Sequence, residues 1–209
     1  MFTIGHIALG YSLAWLFDRK QKNIPLVFIV SILPDIDFLI PGLQHRGPTH
    51  SLFFTLVIFI PSYIIIKRNI TPYFIAMLSH SLIGDYVTGK GIHLLWPLYE
   101  QRLRYKYSMK LGIQLEAYIE CALFIAFLLI LFLSGDVKKI LKPDKTNIML
   151  LIPLFSVILQ MIFEYPNRLP RILTIPNIIF LVIISISIFI SMKRITYMSW
   201  GHPKSSGGS

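Results

Sequence analysis

Long apolar runs alternate with short polar connections along the whole chain. Seven runs can be drawn, at about 2–17, 24–41, 51–66, 71–88, 112–134, 147–164 and 174–192. A helix needs about 20 residues to cross a hydrocarbon core ~30 Å thick, so several of these runs are short for a full span. Irregular strands are excluded, because a bilayer leaves unpaired backbone groups unsatisfied. The pattern therefore predicts an all-α fold, a polytopic transmembrane helical bundle with about 5–7 membrane helices.

The composition supports the membrane class. The chain has 209 residues, of which 55% are hydrophobic and 14% are charged, well below the roughly 25% charged residues of soluble domains. The single cysteine, Cys121, lies inside an apolar run and excludes a disulfide framework and a cysteine-based zinc site. A net charge of +10 would suggest nucleic acid in a soluble protein. Here the basic residues lie in loops between apolar runs, so nucleic-acid binding is not favoured.

The basic residues also predict the orientation of the chain in the membrane. Four connections that would share one side, after the first, third, fifth and seventh runs, are rich in lysine and arginine. The positive-inside rule makes that side cytoplasmic and predicts an integral protein of the cytoplasmic membrane. The residues concerned are Arg19, Lys20, Lys22, Lys67, Arg68, Lys138, Lys139, Lys142, Lys145, Lys193 and Arg194.

Ionisable residues gather at the opposite, extracytoplasmic ends of the predicted helices. Charged groups at membrane depth are costly and usually face a protein interior or a cavity. Their convergence from five separate runs is the main physical argument for a site, and it depends on the topology and not on one motif. The residues are His6, Asp35, Asp37, His45, His50, His80, Asp85, Glu116 and Glu120.

The first motif is Leu33-Pro34-Asp35-Ile36-Asp37, at the end of the second run. Carboxylates two residues apart cannot share one face of a regular helix. The proline disturbs the helix and lets the two carboxylates converge. Oxygen ligands of this kind suit hard and borderline cations, whereas the alternative is a helix-end turn with solvated acids.

The second motif is His45-Arg46-Gly47-Pro48-Thr49-His50, in which two histidines bracket a Gly-Pro turn. Neutral imidazole is a preferred ligand for zinc and similar ions. Arg46, between the two histidines, is suited to hold an anionic oxygen of a substrate. The alternative interpretation is a polar loop in which one residue caps the next helix.

The third motif places His80 five residues before Asp85, with Gly84 between them. An i, i+5 pair does not stack on one face of a regular α-helix. A bulge near Gly84 would bring Asp85 round to His80. Otherwise only one of the two is a ligand, or His80 is a buried histidine hydrogen-bonded to a neighbouring helix.

Two further groups are weaker candidates. Glu116 and Glu120 share a helix face at i, i+4, and either can be a ligand, a general base or a helix-start acid. Arg102 and Arg104 lie in a basic, aromatic segment that can attract anionic headgroups or serve as an interfacial loop.

The order of these motifs resembles the YdjM-like family of membrane-bound, metal-dependent hydrolases. The matching residues are His6, LPDID at 33–37, HRGPTHSL at 45–52, the SH, GD and T of 79–88, GI.LLWP at 91–97 and G.QLE at 112–116. The resemblance covers roughly the first 120 residues and implies a distant link to the zinc-dependent phospholipases C and zinc nucleases. It implies metal ligation by His6, Asp35, Asp37, His45, His50, His80, Asp85 and Glu116. The family pattern has the histidine four residues before the aspartate, whereas this chain has five.

These observations predict a metal-dependent hydrolase that cleaves a phosphoester in a lipid or other amphiphilic substrate at the extracytoplasmic face. The catalytic candidates are Asp35, Asp85 and Glu116, and Arg46, Arg102 and Arg104 are the candidates for substrate binding. Zinc is the favoured ion, in two or three copies, with manganese or magnesium as alternatives. The alternative hypothesis is a metal-binding membrane protein without turnover, either one in which the metal only holds the fold together (a structural staple) or a metal transporter. The absence of HExxH argues against a metalloprotease.

One domain accounts for the whole chain, since no repeat or linker divides it. Residues 1–120 are expected to form the helical membrane core that carries the metal site, and 121–195 to add further transmembrane helices to it. Residues 196–209 are expected to be a disordered tail. Membrane lipids are the expected partners, and the sequence leaves the oligomeric state open.

Overall fold

The computed structural model describes residues 1–19, 23–66, 70–88, 91–106, 112–164 and 168–200. Lys20, Lys22, Lys67 and Arg68, which contributed to the predicted orientation, lie outside the described residues, as does the segment 201–209.

The described part of the chain is helical, and each of the seven apolar runs contains helix. The α-helices are α1 (Thr3–Phe17), α2 (Ile24–Ile32), α3 (Leu52–Ile66), α4 (Thr71–Ser79), α5 (Tyr86–Thr88), α6 (Gly112–Leu133), α7 (Asp136–Leu141), α8 (Leu151–Phe163) and α9 (Thr174–Trp200). Short 3₁₀ segments cover Leu33–Leu39, Pro48–His50, Lys145–Leu150 and Arg171–Leu173, and a π-helix covers His80–Asp85. An isolated antiparallel bridge joins Ile92 to Leu103.

Helix α1 is the central element of the bundle. It is apolar on all sides, and a helix of this kind is stable only when its whole circumference is covered. Helices α2, α4 and α6 pack around it. Gly10 permits the close approach of α2, because a Cβ atom there would collide with the Ser31 hydroxyl. The first turns of α1 are thereby held in the interior, which positions His6.

Aromatic rings fill the core between α1, α2, α6 and α9. The Tyr11 ring meets Phe127 edge-to-face at 5.2 Å between centroids and Phe28 at 5.8 Å. The Tyr11 hydroxyl donates a 2.9 Å hydrogen bond to buried Asp136 at the start of α7. Because Tyr11 lies on α1 away from His6, this core fixes the end of the bundle opposite to the candidate site.

Three described helical stretches are long and apolar enough to cross a membrane, by length and composition. They are Gly112–Leu133, Lys145–Phe163 and Arg171–Met198. Helices α1 and α3 are apolar but have 15 residues each, about 22 Å of helix, which is short of a ~30 Å core. The all-α membrane architecture is confirmed, whereas the expected count of 5–7 spans is not. An apolar run does not by itself define a span, because the helix that forms within it can be shorter than the hydrocarbon core.

Two local features differ from the sequence expectations. The basic connection after α6 contains α7, whose first residue, Asp136, pairs with Lys139 at 2.6 Å. Helix α9 continues to Trp200, so residues 196–200, expected to belong to a disordered tail, are helical. No proline or glycine interrupts the chain between Ile195 and Trp200, and a breaker first occurs at Gly201.

Candidate metal centre

A π-helix brings His80 and Asp85 to the same face. Residues 80–85 follow α4 without interruption, and the Tyr86 amide donates to the Ser81 carbonyl, five residues earlier. In this geometry residues at i and i+5 overlie each other, so His80 Nε2 lies 3.7 Å from Asp85 Oδ2. The predicted bulge is confirmed.

Four side chains from three segments meet around one point. Asp35 comes from the 3₁₀ segment after α2, His50 from the turn before α3, and His80 and Asp85 from the π-helix. His50 Nε2 lies 3.3 Å from Asp35 Oδ1, 3.1 Å from Asp85 Oδ2 and 3.2 Å from His80 Nε2. His80 Nε2 lies 3.5 Å from Asp35 Oδ1. We call these four residues the inner cluster; such a group can hold a metal ion.

The tautomer of His80 follows from its backbone contact. His80 Nδ1 lies 2.7 Å from the carbonyl oxygen of Ser31. A carbonyl only accepts hydrogen bonds, so Nδ1 carries the proton and donates. The lone pair of the neutral ring is then on Nε2, directed at the inner cluster. Metal-binding histidines commonly use this arrangement, in which a backbone carbonyl fixes the ring and selects the ligating nitrogen.

Asp37 orients His50 in a similar way. Its Oδ2 accepts from the Arg46 amide at 3.1 Å and from the Thr49 hydroxyl at 3.2 Å, and lies 3.4 Å from His50 Nδ1. Its Oδ1 lies 3.3 Å from His45 Nδ1. The carboxylate thus holds the 45–50 turn in place and directs His50 Nε2 to the inner cluster.

Asp37, His45 and His50 form a second group with ligand spacing. The two groups share His50, and a neutral imidazole offers one lone pair, so His50 can serve only one of them as a ligand. Asp37 already accepts two hydrogen bonds, whereas Asp85 Oδ2 is directed at the inner cluster, 3.1 Å from His50 Nε2 and 3.7 Å from His80 Nε2. The inner cluster is therefore the better cation site, and Asp37, predicted as a ligand, lies where it supports His50.

Positive groups surround the carboxylates of the inner cluster. The Met1 ammonium and Arg46 Nη2 lie 3.2 and 3.1 Å from Asp85 Oδ1, and His50 Nε2 lies between Asp35 and Asp85. Burial alone would lower the pKa of His50, but hydrogen bonds and charge from Asp35 and Asp85 outweigh it and raise the pKa to about 9. Two carboxylates and two imidazole nitrogens facing one another repel unless a positive charge lies between them. Without metal, a proton on His50 supplies that charge. A divalent cation would displace this proton.

Arg46 neutralises the other side of Asp85. Its Nη2 donates to Asp85 Oδ1 at 3.1 Å, and the side chain is buried. The backbone of Arg46 has a positive φ of 64°, an uncommon conformation that turns its amide towards Asp37. Arg46 thus contacts a carboxylate of the inner cluster and leaves Asp85 Oδ2 facing His50 and His80, and its predicted role in substrate binding stays a prediction.

His6 flanks the inner cluster. Its ring stacks on His80 with 3.6 Å between centroids, and its Nε2 lies 3.7 Å from Asp85 Oδ1. Its Nδ1 is buried and makes no hydrogen bond to the described residues. His6 belongs to neither group with ligand spacing. It therefore lies beside the inner cluster, in contact with His80 and Asp85 but not among the four residues that face one point.

Gly84 is required by the close approach of His6. A Cβ atom at this position would lie 2.6 Å from His6 Cε1. We expect Gly84→Ala to destabilise the protein by about 1–3 kcal/mol, because the strain exceeds the ~1 kcal/mol gain in helix propensity. The change should lower the thermal unfolding midpoint and weaken zinc binding.

Ser81→Ala is the matched control for this substitution. Ser81 lies in the same π-helix, and its buried hydroxyl makes no hydrogen bond to the described residues. Equal thermal midpoints for the two variants would show that His6 can move aside and that its stacked position is not required.

The remaining predicted residues lie further out. Glu116, half-buried in the first turns of α6, belongs to neither group with ligand spacing. Glu120, one turn later, is buried and accepts from the Phe2 amide at 3.1 Å, so it fixes the start of α1 to α6. Arg102 is exposed and donates to the His45 carbonyl at 3.3 Å, and Arg104 is exposed in the same connection.

An apolar cavity of about 1010 Å³ opens beside the inner cluster. Its walls are α2 with its 3₁₀ continuation on one side and α8 on the other. Asp35, His45 and Asp85 line it where the two walls meet the cluster, together with Gln160. The site therefore joins a polar, charged end to a long hydrocarbon-like surface.

Sequence reasoning missed two contributors to this site. The Ser31 carbonyl, which fixes His80, carries no sequence signal because it is a backbone group. Gln160, whose Oε1 accepts from the Thr3 amide at 3.0 Å, did carry a signal, as a side-chain amide near the end of the apolar run 147–164.

The fold and the site define a helical integral membrane protein with a buried His/Asp cluster suited to a metal ion. The chain belongs to the YdjM inner membrane protein family, whose model matches residues 1–195. The match extends well past the first 120 residues that carried the sequence resemblance. Comparisons with curated proteins and with solved structures gave no match.

Proposed function

We propose that the protein is a membrane-embedded, metal-dependent hydrolase that cleaves a phosphoester in a lipid or other amphiphilic substrate. The observation that supports it best is the convergence of the His50 and His80 Nε2 atoms with the Asp35 and Asp85 carboxylates at the end of an apolar cavity. A metal site with a purely structural role would not require an apolar cavity beside it. The distant resemblance to zinc-dependent phospholipases C and nucleases agrees with this chemistry.

The donor set fits zinc. Two imidazoles and a carboxylate are a common catalytic zinc set, and such sites keep one position open. His50, His80 and Asp85 would hold the ion, since the Nε2 atoms of both histidines face Asp85 Oδ2, at 3.1 and 3.7 Å. When bound, the ion would lower the pKa of a water molecule and offset charge on the phosphate oxygens. The inner cluster has room for the ligands of one ion, and we therefore propose one ion, whereas the sequence predicted two or three.

Asp35 is the residue we assign to proton transfer. It is the most accessible member of the inner cluster, with a 16% exposed side chain, and it lines the cavity. In the proposed reaction, water oxygen bonds to phosphorus and the ester P–O bond breaks. Asp35 accepts a proton from the attacking water and then passes this proton to the leaving alkoxide, so the carboxylate is restored. Arg102 donates to the backbone carbonyl of His45, which lines the cavity, and we assign it the attraction of the anionic head, while the catalytic role of Glu116 stays a prediction.

The extracytoplasmic side is the proposed location of the site. The first turns of α6 and the last turns of α8 lie near the cluster, as the Glu120 and Gln160 contacts with the start of α1 show. The connection between these helices is thus on the opposite side, and it carries Lys138, Lys139, Lys142 and Lys145. The positive-inside rule assigns that connection to the cytoplasm.

A transporter fits less well. Transport of a metal ion requires polar groups along the path through the membrane. Residues 121–133, 151–163 and 175–192 carry no aspartate, glutamate, histidine, lysine or arginine. The candidate ligands lie at one end of the bundle, as a surface hydrolase needs.

The test of this function is hydrolysis by the purified protein in nanodiscs. We expect zinc-dependent release of p-nitrophenol from p-nitrophenyl phosphoesters, lost with EDTA and restored by zinc. Asp35→Asn should lower kcat by about 10²–10⁴-fold while most of the zinc is retained. The control is Asp18→Asn, at the far end of α1. Bound zinc without turnover of any soluble or lipid phosphoester would instead favour the structural staple.

A further inference from the structure

The cavity beside the inner cluster has the shape and surroundings of a lipid-chain site. Its two walls are apolar along their length, with Ile32 and Ile36 on one side and Phe155 and Leu159 on the other. Its volume of about 1010 Å³ is at the upper end of the ~300–1,000 Å³ range of small-molecule pockets. The cavity is thus large enough for a headgroup together with at least one hydrocarbon chain.

The α8 wall carries one hydroxyl, that of Ser156, but the charged groups are confined to one end of the cavity. Asp35, His45 and Asp85 lie there, and Gln160 joins them from α8. The other end is lined by Ile29 and by the start of α8, at Leu151. A molecule that fills the whole cavity must therefore be amphiphilic, with an end that suits a cation-binding cluster and a long apolar remainder.

The length of the wall matches one leaflet of a bilayer. From Leu151 to Phe163, α8 extends about 18 Å. Half of a ~30 Å hydrocarbon core is about 15 Å, the depth over which a lipid chain extends. A lipid whose head lies at the inner cluster can therefore lay its chain along α8.

The cavity is accessible from within the bilayer. Lys145–Phe163, which contains α8, is one of the three stretches suited to span a membrane. Phe155 and Phe163 line the cavity and are 58% and 67% exposed, so the rim of the cavity faces hydrocarbon. A bilayer lipid can thus enter sideways without its chain crossing water.

We propose that this groove between α2 and α8 binds the hydrocarbon chain of a lipid phosphoester and presents its phosphate to the inner cluster. The proposal rests on the hydrolase function and narrows its substrate to chain-bearing phosphoesters that enter from the bilayer. Because lipid tails are as apolar as the groove, the chain gains little by moving into it. The interaction of the phosphate with the inner cluster therefore selects the substrate, and the groove orients its hydrocarbon chain.

The first test compares two p-nitrophenyl phosphodiesters in nanodiscs, one with a methyl and one with a dodecyl group. Hydrolysis forms a bond from water oxygen to phosphorus and releases p-nitrophenolate from both. Ser156→Trp fills the groove wall, and Ile162→Trp, exposed on the same helix but away from the cavity, is the control. We expect the dodecyl-to-methyl ratio of kcat/KM to fall at least tenfold in Ser156→Trp and to match wild type in Ile162→Trp.

The second test is independent of turnover. Dodecyl phosphate with a photoreactive group at the chain end is cross-linked to wild-type protein loaded with zinc, and the labelled peptides are identified. We expect labelling near the start of α8, around Leu151 and Ile152, that is competed by dodecyl phosphate and weakly by dodecanol. Ser156→Trp should reduce this labelling at least fivefold.

The outcomes separate the groove from the hydrolase function. Labelling at α8 without turnover of either ester would leave the groove in place and reject hydrolysis. Turnover with equal ratios in the wild type and Ser156→Trp would retain hydrolysis and overturn the groove. Labelling spread over the lipid-facing helices, equal competition by dodecanol, or cross-links to a second copy of the chain would also overturn it.

Discussion

Replacing His50 by alanine is expected to remove most of the zinc that we propose the wild-type protein binds. His50 Nε2 lies within 3.3 Å of both carboxylates of the inner cluster and of His80 Nε2. Loss of the ring removes a ligand and leaves Asp35 and Asp85 facing each other with less positive charge between them. Because changes to supporting residues around a metal already cost 10–100-fold in affinity, loss of a ligand should cost at least about 100-fold.

Elemental analysis and calorimetric titration with zinc measure this effect. His93→Ala is the matched control, because His93 accepts a hydrogen bond from Arg102 in the outer connection and belongs to neither group with ligand spacing. Asp85→Asn provides an isosteric second variant, which keeps the packing of the π-helix while removing the charge. Wild-type zinc content in both His50→Ala and Asp85→Asn would refute the inner cluster as the metal site.

Raising the pH from about 6.5 to about 9 is expected to destabilise the metal-free protein and to tighten zinc binding. The pKa of His50 is raised to about 9 by Asp35 and Asp85, which outweigh the opposing effect of burial. A group whose folded pKa exceeds its unfolded value of ~6.5 stabilises the fold fully below 6.5, and this stabilisation is lost as the pH rises through 9. Complete loss of this stabilisation lowers the free energy of unfolding by about 3 kcal/mol.

Zinc binding has the opposite pH dependence, because the ion must displace the proton on His50. The affinity should rise about tenfold for each pH unit between 6.5 and 9, with release of about one proton per ion. Thermal unfolding of metal-free protein and zinc competition titrations, both across this range, measure the two trends. His50→Gln should abolish both, and His93→Ala should preserve them. A zinc affinity independent of pH in the wild type would contradict proton displacement.

The conformation of residues 80–85 could be predicted only in part from the local sequence. The five-residue spacing of His80 and Asp85 is incompatible with one face of an α-helix, so either a bulge or the loss of one ligand followed from geometry alone. The structure has the bulge. The sequence could not show that His6 stacks on His80, because that contact joins helices far apart in the chain, although Gly84 leaves the space that it needs.

The roles of the carboxylates were harder to predict than their proximity. Asp35 and Asp37 are equivalent in sequence, but Asp35 lines the cavity while Asp37 accepts hydrogen bonds from the 45–50 turn. Glu116 and Glu120 likewise share one helix face, and Glu120 is the one fixed to the start of α1. Which oxygen remains available for a cation depends on neighbours that come from other segments, and the local pattern does not contain that information.

The order of apolar runs and the end at which the histidines and acids collect followed from the sequence, because hydrophobic length and the cost of burying charge act locally along the chain. The three-dimensional packing decided which helices are enclosed, which of the candidate ligands face one point, and that an apolar groove ends there. These features depend on contacts between distant segments: the Ser31 carbonyl fixes His80, Asp37 fixes His50, and α8 forms the opposite wall of the groove.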